Sequence, residues 1–305
     1  KAMIFGSSSS PICLAGCWVD LDDDGDLDLV TTRYSGGGLS VLENHGINAT
    51  HTDQDMEEVT WAPTASNLGA NSITVIDYDH DAHLDLFVTE CTGSRKQAWI
   101  LRNNYGSAGS KTFSAVAFGP ERAWSGAVVA DFNLDGQDDF VLLPKEADVV
   151  PPLYMSNGYL TLPEFEDPSW PIQTKRVTPY YADLGYTLGL RAGRTGGGFA
   201  ADLDGDHAAD LFLGRTSTPQ INSQFLYRST GTAAATNHWL QVNVRTCGGS
   251  NGSLIGTRVQ VVANGKPGLK VVDGGSFRGG QGSNDLLFGL TGETSVDYVK
   301  IMFPS

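Results

Sequence analysis

Carboxylate and amide side chains recur at a fixed spacing in four nine-residue segments of this sequence. The segments are DLDDDGDLD from Asp20, DYDHDAHLD from Asp77, DFNLDGQDD from Asp131 and DLDGDHAAD from Asp202. Each has Asp at positions one, five and nine, and Asp or Asn at position three. Calcium takes about 6 to 8 oxygen ligands in flexible geometry, which alternate residues of a tight loop can supply. The pattern therefore predicts calcium loops that bind up to four ions.

In each loop, we predict that the side chains at positions one, three, five and nine bind the ion and that the backbone carbonyl at position seven completes the ring. The predicted side-chain ligands are Asp20, Asp22, Asp24 and Asp28; Asp77, Asp79, Asp81 and Asp85; Asp131, Asn133, Asp135 and Asp139; and Asp202, Asp204, Asp206 and Asp210. The position-seven residues are Asp26, His83, Gln137 and Ala208. Without a cation these neighbouring carboxylates would repel one another, which disfavours plain solvated turns.

Other metals and other calcium loops fit this pattern less well. Magnesium demands near-ideal octahedral geometry, and zinc prefers His and Cys ligands. His80 and His83 have H-x-x-H spacing, but they stand among the Asp residues of the second loop, and we interpret them as solvent-facing. An EF-hand needs flanking helices and a Glu at position twelve. Position twelve is Thr31, Val88, Leu142 and Leu213 in the four loops.

Position six of each loop should make a sharp turn, which glycine adopts without strain. It is Gly25 in the first loop and Gly136 in the third, but Ala82 in the second and His207 in the fourth. A residue with a Cβ atom is penalised at positive φ. We therefore expect weaker or distorted sites in the second and fourth loops.

Short apolar segments flank every acidic loop and must position it. GCWV, SITVI, GAVVA and GGFAA lead in, while LVTT, LFVTE, FVLL and LFLG follow. β-Branched and aromatic runs bounded by glycine and polar residues are typical of strands. The loops start 57, 54 and 71 residues apart, which favours radial repetition of small antiparallel sheets. The longest interval contains Pro163 to Tyr186, which we interpret as a loop insertion that either binds a partner or packs between sheets.

From residue 237 onwards the sequence has strand-like runs without an acidic loop: HWLQVNV, TRVQVVA, LKVVD, DLLFGL and VDYVKIMF. We predict an all-β protein with a propeller-like array over residues 1–236 and a separate five-strand module over residues 237–305. The boundary is expected in the small, polar stretch from Ser229 to Thr236.

Composition limits the function classes. A formal charge of −15 over 305 residues argues against a nucleic-acid partner, since such binding depends on Lys and Arg. No apolar run approaches the ~20 residues that span a bilayer. Cys13, Cys17, Cys91 and Cys247 are candidates for up to two disulfides, and Asn48 and Asn251 begin glycosylation sequons, which together favour an extracellular location. The start at Lys1 is expected of a processed product.

The four loops with their flanking strands resemble the FG-GAP or VCBS repeats of integrin α-subunit propellers. The C-terminal segments NHWLQVNV at Asn237, SNGSLIGTRVQV at Ser250, LLFGL at Leu286 and VDYVKIMFP at Val296 resemble the ASPIC/UnbV domain in order. The combination resembles the cartilage acidic protein family, which implies a secreted, calcium-binding propeller linked to matrix and cell-surface interaction. Integrin-type propellers have seven blades, so four loops imply either a small propeller closed by the module or a piece of a larger one.

We therefore expect an extracellular scaffold that binds protein partners or assembles with itself, and not an enzyme. The sequence has no G-x-S-x-G elbow and no phosphate loop, and a propeller hydrolase is a less favoured alternative. The stronger alternative is a glycan-binding propeller, with Trp170, Tyr180, Tyr181 and Tyr186 as candidates for stacking on sugar rings.

Overall fold

The computed structural model describes residues 14–32, 38–46, 56–59, 61–63, 68–91, 96–105, 110–161, 177–191, 193–215, 224–230, 236–245, 254–274 and 285–304. These residues form twenty-one β-strands, which confirms the predicted all-β class. No helix among them has the length and apolar character needed to cross a membrane.

The first two sheets are antiparallel meanders. The first sheet consists of β1 (Gly16–Val19), β2 (Asp28–Thr32), β3 (Leu39–Asn44) and β4 (Met56–Val59) in that order. The second consists of β6 (Ala70–Ile76), β7 (Asp85–Glu90), β8 (Ala98–Asn103) and β9 (Thr112–Phe118), with β5 (Ala62–Pro63) paired in parallel along the outer edge of β9. Each strand therefore pairs mainly with its neighbour in sequence.

The third and fourth sheets repeat the same order. The third contains β10 (Trp124–Ala130), β11 (Asp139–Pro144), β12 (Leu153–Thr161) and β13 (Val177–Asp183), and the fourth contains β14 (Thr195–Ala201), β15 (Asp210–Arg215) and β16 (Gln224–Tyr227). The interpretation of Pro163 to Tyr186 as a loop insertion is wrong for its second half, because β13 is the outer strand of the third sheet. Residues 162–176 lie outside the described residues.

The first strand of each sheet contacts the first strand of the next, in the series β1, β6, β10 and β14. Hydrophobic cores lie between successive sheets, and adjacent residues of one strand belong to different cores. Leu86 packs in the core shared with the first sheet, whereas Phe87 packs against Phe140 of the third sheet. Side chains alternate between the two faces of a strand, so β7 is buried on both faces. The sheets are therefore stacked around a common axis, as the blades of a propeller are.

The C-terminal strands form a smaller module. Its two sheets are β17 (His238–Asn243) with β20 (Asp285–Thr291), and β18 (Arg258–Ala263) between β19 (Lys266–Val271) and β21 (Tyr298–Met302). Val259, Val261, Leu286 and Phe288 form its own core. The last propeller strand ends at Tyr227 and the module begins at His238, on either side of the predicted boundary.

Candidate metal loops and the module that covers them

Each acidic loop connects the first and second strands of one sheet. The last residue of β1, β6, β10 or β14 immediately precedes position one, and the position-nine Asp is the first residue of β2, β7, β11 or β15. Because the connection is the same in every sheet, the four loops emerge at the same ends of these strands. The sheets therefore present the predicted ligands at one end of the propeller, which we call the loop face.

The position-nine Asp has the same structural role in all four loops. One carboxylate oxygen accepts a hydrogen bond from the backbone N–H of position two, and the other accepts one from the chain where the third strand passes. The donors are Leu21 and Asn44 for Asp28, Tyr78 and Asn103 for Asp85, Phe132 and Ser156 for Asp139, and Leu203 and Ser229 for Asp210, at 2.7–3.2 Å. This carboxylate closes the loop onto its sheet, a role that the sequence analysis missed.

The loop backbone turns twice through positive φ. Position six has φ of +95° at Gly25, +69° at Ala82, +85° at Gly136 and +64° at His207. Position four also has a positive φ in every loop, at Asp23, His80, Leu134 and Gly205. The turn predicted at position six is therefore present in every loop, with Ala82 and His207 in a conformation that penalises a Cβ atom. The second turn was not predicted, since only the fourth loop has glycine there.

Carboxylate oxygens converge in three of the loops. Oxygen atoms from Asp20, Asp22 and Asp24, from Asp77, Asp79 and Asp85, and from Asp202, Asp204 and Asp206 lie within 4.8 Å of one another in their respective groups. The carboxylates of the third loop form no such group, and its position three is Asn133, whose amide donates to the Ser156 carbonyl at 3.0 Å. Ligation by the remaining predicted residues, including the position-seven carbonyls of Asp26, His83, Gln137 and Ala208, stays a prediction.

Several of these buried oxygens have no hydrogen-bond partner. They are Oδ1 of Asp20, Oδ1 of Asp22, both carboxylate oxygens of Asp77 and Oδ1 of Asp79. Leaving a buried carboxylate oxygen unpaired is costly. Asp77, with two unpaired oxygens, is only 4% exposed, so water does not compensate for the missing hydrogen bonds. Such oxygens fit the donor set of a hard divalent cation.

In three loops a basic side chain pairs with Oδ2 of the Asp at position three. Lys111 Nζ lies 3.5 Å from Oδ2 of Asp22. Arg102 pairs with Oδ2 of Asp79, and Arg228 pairs with Oδ2 of Asp204. In the first and second loops the buried oxygen that remains without a partner is Oδ1.

Burial changes the proton affinity of the loop carboxylates. It raises the pKa of Asp20 to about 6, even though Arg258 opposes the shift. It raises the pKa of Asp28 and of Asp131 to about 7. Burial, followed by repulsion from neighbouring carboxylates, holds the pKa of Asp77 well above its usual range. Protons therefore bind these carboxylates more tightly than usual, and a bound cation would compete with them for the same oxygens.

The interpretation of His80 and His83 as solvent-facing is wrong. Nε2 of His80 lies 2.7 Å from Oε1 of Gln137 in the third loop, and Nδ1 lies 2.8 Å from the carbonyl oxygen of Pro267. His83 pairs with Asp23 of the first loop. The two histidines therefore join the second loop to its neighbours, because successive loops lie close enough for a single side chain to bridge them.

Comparison with known protein families finds a match in each part of the chain. Residues 20–88 match an FG-GAP-like repeat, and residues 247–305 match ASPIC and UnbV. The chain carries an FG-GAP-like repeat and a C-terminal ASPIC/UnbV module. These matches confirm the predicted combination of modules, whereas the resemblance to cartilage acidic proteins stays a prediction.

Comparisons over the whole chain add less. No curated protein matches the sequence. A solved structure of an Agrocybe aegerita lectin, described for its specific recognition of non-reducing terminal N-acetylglucosamine, has 15% sequence identity and a TM-score of 0.38. The similarity covers 83% of this chain, which spans 64% of that lectin's length.

The C-terminal module, which includes the ASPIC/UnbV match, contacts all four acidic loops. Arg258 pairs with Asp20 and Asp23 of the first loop, and Pro267 accepts the hydrogen bond from His80 of the second. Thr291 N and Asn237 Nδ2 donate to backbone carbonyls of the third loop, at 3.2 and 2.7 Å. Trp239 stacks on His207 of the fourth loop, with ring centroids 3.6 Å apart. The module therefore lies across the loop face.

Further predicted residues have mixed outcomes. Cys17 is buried, and Cys17 and Cys91 are not bonded to each other, while disulfides that involve Cys13 or Cys247 stay a prediction. The ring of Tyr181 packs against Phe118 and Phe140, so its predicted role in stacking on sugar is wrong. Tyr186 is 84% exposed. The residues Cys13, Cys247, Asn48, Asn251 and Trp170, and the side chain of Tyr180, lie outside the described part of the chain.

Proposed function

We propose that this protein is a calcium-binding, non-catalytic propeller that serves as an extracellular scaffold for protein partners or for self-assembly. The observation that supports calcium most strongly is the set of buried, unpartnered oxygens on Asp20, Asp22, Asp77 and Asp79. Each of these residues also has an oxygen within 4.8 Å of two other carboxylates. An arrangement of this kind is unfavourable without a cation and favourable with one.

The residues of the first loop illustrate how the ion would be held. Asp20, Asp22 and Asp24 would supply carboxylate oxygens, and the backbone carbonyl of Asp26 would supply a further one. A bound calcium ion supplies positive charge that neutralises the cluster. Asp28 keeps the loop on its sheet through its two backbone hydrogen bonds. A loop fixed in this way presents its ligands with little loss of entropy on binding.

The scaffold role rests on architecture. FG-GAP-like repeats with an ASPIC/UnbV module suggest a propeller-type protein-interaction module. We propose an extracellular location because calcium is abundant there. We expect affinities in the range of extracellular calcium modules, about 10⁻⁴ to 10⁻³ M.

Thermal unfolding tests calcium binding directly. The purified chain is melted in excess calcium, after exhaustive chelation, and in excess magnesium. A ligand bound only by the folded state stabilises it by about 2.7 kcal/mol for each site at 100 times Kd. We expect a large rise in melting temperature with calcium and little with magnesium. An unchanged melt in all three conditions would remove the calcium proposal.

The scaffold role needs a separate measurement. The protein is immobilised and incubated with an extracellular matrix extract in calcium or in chelator, while sedimentation of the free protein reports self-association. We expect retained partners or self-association that depend on calcium. If no partner is retained and no self-association is seen, with calcium or with chelator, the scaffold role is contradicted even if calcium binds.

A further inference from the structure

Arg258 links the ASPIC/UnbV module to the first acidic loop. It is the first residue of β18, and its guanidinium Nη2 lies 3.2 Å from Oδ2 of Asp20. Nη1 of the same group pairs with Oδ1 of Asp23. The Arg258 side chain is 11% exposed and that of Asp20 is 4% exposed. This contact is therefore largely removed from water. A buried ion pair is screened much less than an exposed one.

The two oxygens of Asp20 have different environments. Oδ2 accepts a 3.2 Å hydrogen bond from the backbone N–H of Gly25 and faces Arg258. Oδ1 is buried and has no hydrogen-bond partner. Together the N–H and the guanidinium fix the rotation of the carboxylate. Asp20 forms the first cluster with Asp22 and Asp24, and Oδ1 is its oxygen that no hydrogen bond occupies.

The charge of Arg258 is matched locally. Asp23, at position four, is not a predicted ligand, and it contacts both Arg258 and His83. A guanidinium with its own counter-charge repels a nearby cation much less than an isolated one would. The contribution of Arg258 to a cation in the first loop is therefore mainly orientation of Asp20.

We infer that Arg258 is a positioning residue for calcium in the first loop, and that calcium occupancy there is coupled to docking of the ASPIC/UnbV module. The inference rests on the proposed calcium binding. Residues that hydrogen-bond a metal-ligating carboxylate change metal affinity by about 10- to 100-fold when they are removed. Coupling between two binding events is reciprocal. Calcium in the first loop should accordingly stabilise the docked module by the same factor.

The fourth loop provides an internal control. Among the described residues, the module meets it through the stack of Trp239 on His207, whereas its ligand Asp204 pairs with Arg228 from the end of its own sheet. No ion pair between the module and a predicted ligand is described for this loop. Removing Arg258 should therefore affect the first loop and leave the fourth unchanged.

Hydrogen–deuterium exchange with peptide resolution can read each loop separately. The full chain is titrated with calcium, and the midpoint of protection is measured for peptides that contain residues 20–28 and 202–210. The variant Arg258→Gln removes the charge and the forked contact. The control Arg245→Gln makes the same change at an exposed arginine of the module, which bonds Asn243.

We expect Arg258→Gln to raise the first-loop midpoint by about 10- to 100-fold, while the fourth-loop midpoint and both midpoints of Arg245→Gln stay unchanged. If Arg258→Gln does not fold, Asp23→Asn tests the same contact without touching a predicted ligand and should move the first loop in the same direction. An unchanged first-loop midpoint, or an equal shift in all loops, would overturn the inference. A wild-type chain without calcium-dependent protection in any loop would instead refute the proposed function.

Discussion

Oδ1 of Asp139 accepts a 2.7 Å hydrogen bond from the backbone N–H of Ser156, while Oδ2 accepts one of 2.8 Å from Phe132. Asp139 begins β11 and is fully buried, and Ser156 lies in β12. The carboxylate therefore ties the third acidic loop to two strands of its sheet. The same pair of bonds at Asp28, Asp85 and Asp210 makes this a repeated structural feature.

Asp139→Asn should destabilise the protein whether or not calcium is present. Asparagine has one acceptor oxygen, so one of the two buried N–H groups would face an amide N–H instead. An unsatisfied buried donor costs about 1–3 kcal/mol, and we expect that loss of unfolding free energy in calcium and in chelator. Asp148→Asn, at an exposed position, is the matched control. A loss confined to calcium would mean that Asp139 acts as a ligand alone.

Asp22→Asn, in contrast to Asp139→Asn, should reduce stability only when calcium is present. Its Oδ1 is buried without a partner, and repulsion from Asp24 contributes to raising its pKa after burial itself. Removing the charge should leave the chelated protein as stable as before, or more so. The calcium-dependent gain should fall by about 2.7 kcal/mol at 100 times Kd, the contribution of one site. Asp26→Asn keeps the predicted carbonyl ligand and is expected to retain this gain; equal losses in the two variants would contradict the assigned roles.

Stability of the calcium-free protein should rise as the pH is lowered from about 8 to about 5. Burial raises the pKa of Asp20 to about 6 and of Asp28 and Asp131 to about 7. A carboxylate with a raised pKa binds its proton more tightly when folded, so its stabilising effect is present at low pH and lost as the pH rises through the folded value. Calcium should reverse the trend, because protons compete with it for the same oxygens. Melts in chelator that are flat or fall towards pH 5 would contradict this assignment.

Local patterns made the strands and the loops predictable. The alternation of side chains around Leu86 and Phe87, and the Asp spacing from Asp20 to Asp28, depend on neighbours in sequence. The positive φ at Gly25 and Gly136 was predictable for the same reason. The positive φ of Leu134, at position four of the third loop, was not predictable. A leucine side chain gives no indication of a left-handed backbone. In the folded chain the Leu134 side chain is fully buried and its carbonyl oxygen accepts a hydrogen bond from Thr291 N, and both contacts involve distant parts of the chain.

Contacts between distant segments could not be read from the sequence. The H-x-x-H spacing of His80 and His83 gave no sign that each would reach a neighbouring loop, since that depends on how sheets stack. Likewise, nothing near Arg258 in sequence indicates a carboxylate partner. A signal was available for Asp210 and its equivalents: an Asp at position nine in every loop, at the first residue of a buried strand, is as well suited to bonding backbone N–H groups as to binding a metal.

Ala82→Gly should stabilise the second loop. Ala82 has φ of +69°, a conformation that costs a residue with a Cβ atom about 1–2 kcal/mol, while glycine adds about 0.5–1 kcal/mol of entropy loss on folding. The net gain in unfolding free energy should be up to about 1.5 kcal/mol in excess calcium, measured by chemical denaturation. Ala130→Gly makes the same change in strand β10, where only the entropic cost applies, and should destabilise by about 0.5–1 kcal/mol. If Ala82→Gly were no more stable than the wild type, the turn at position six would not be the strained element of the second loop.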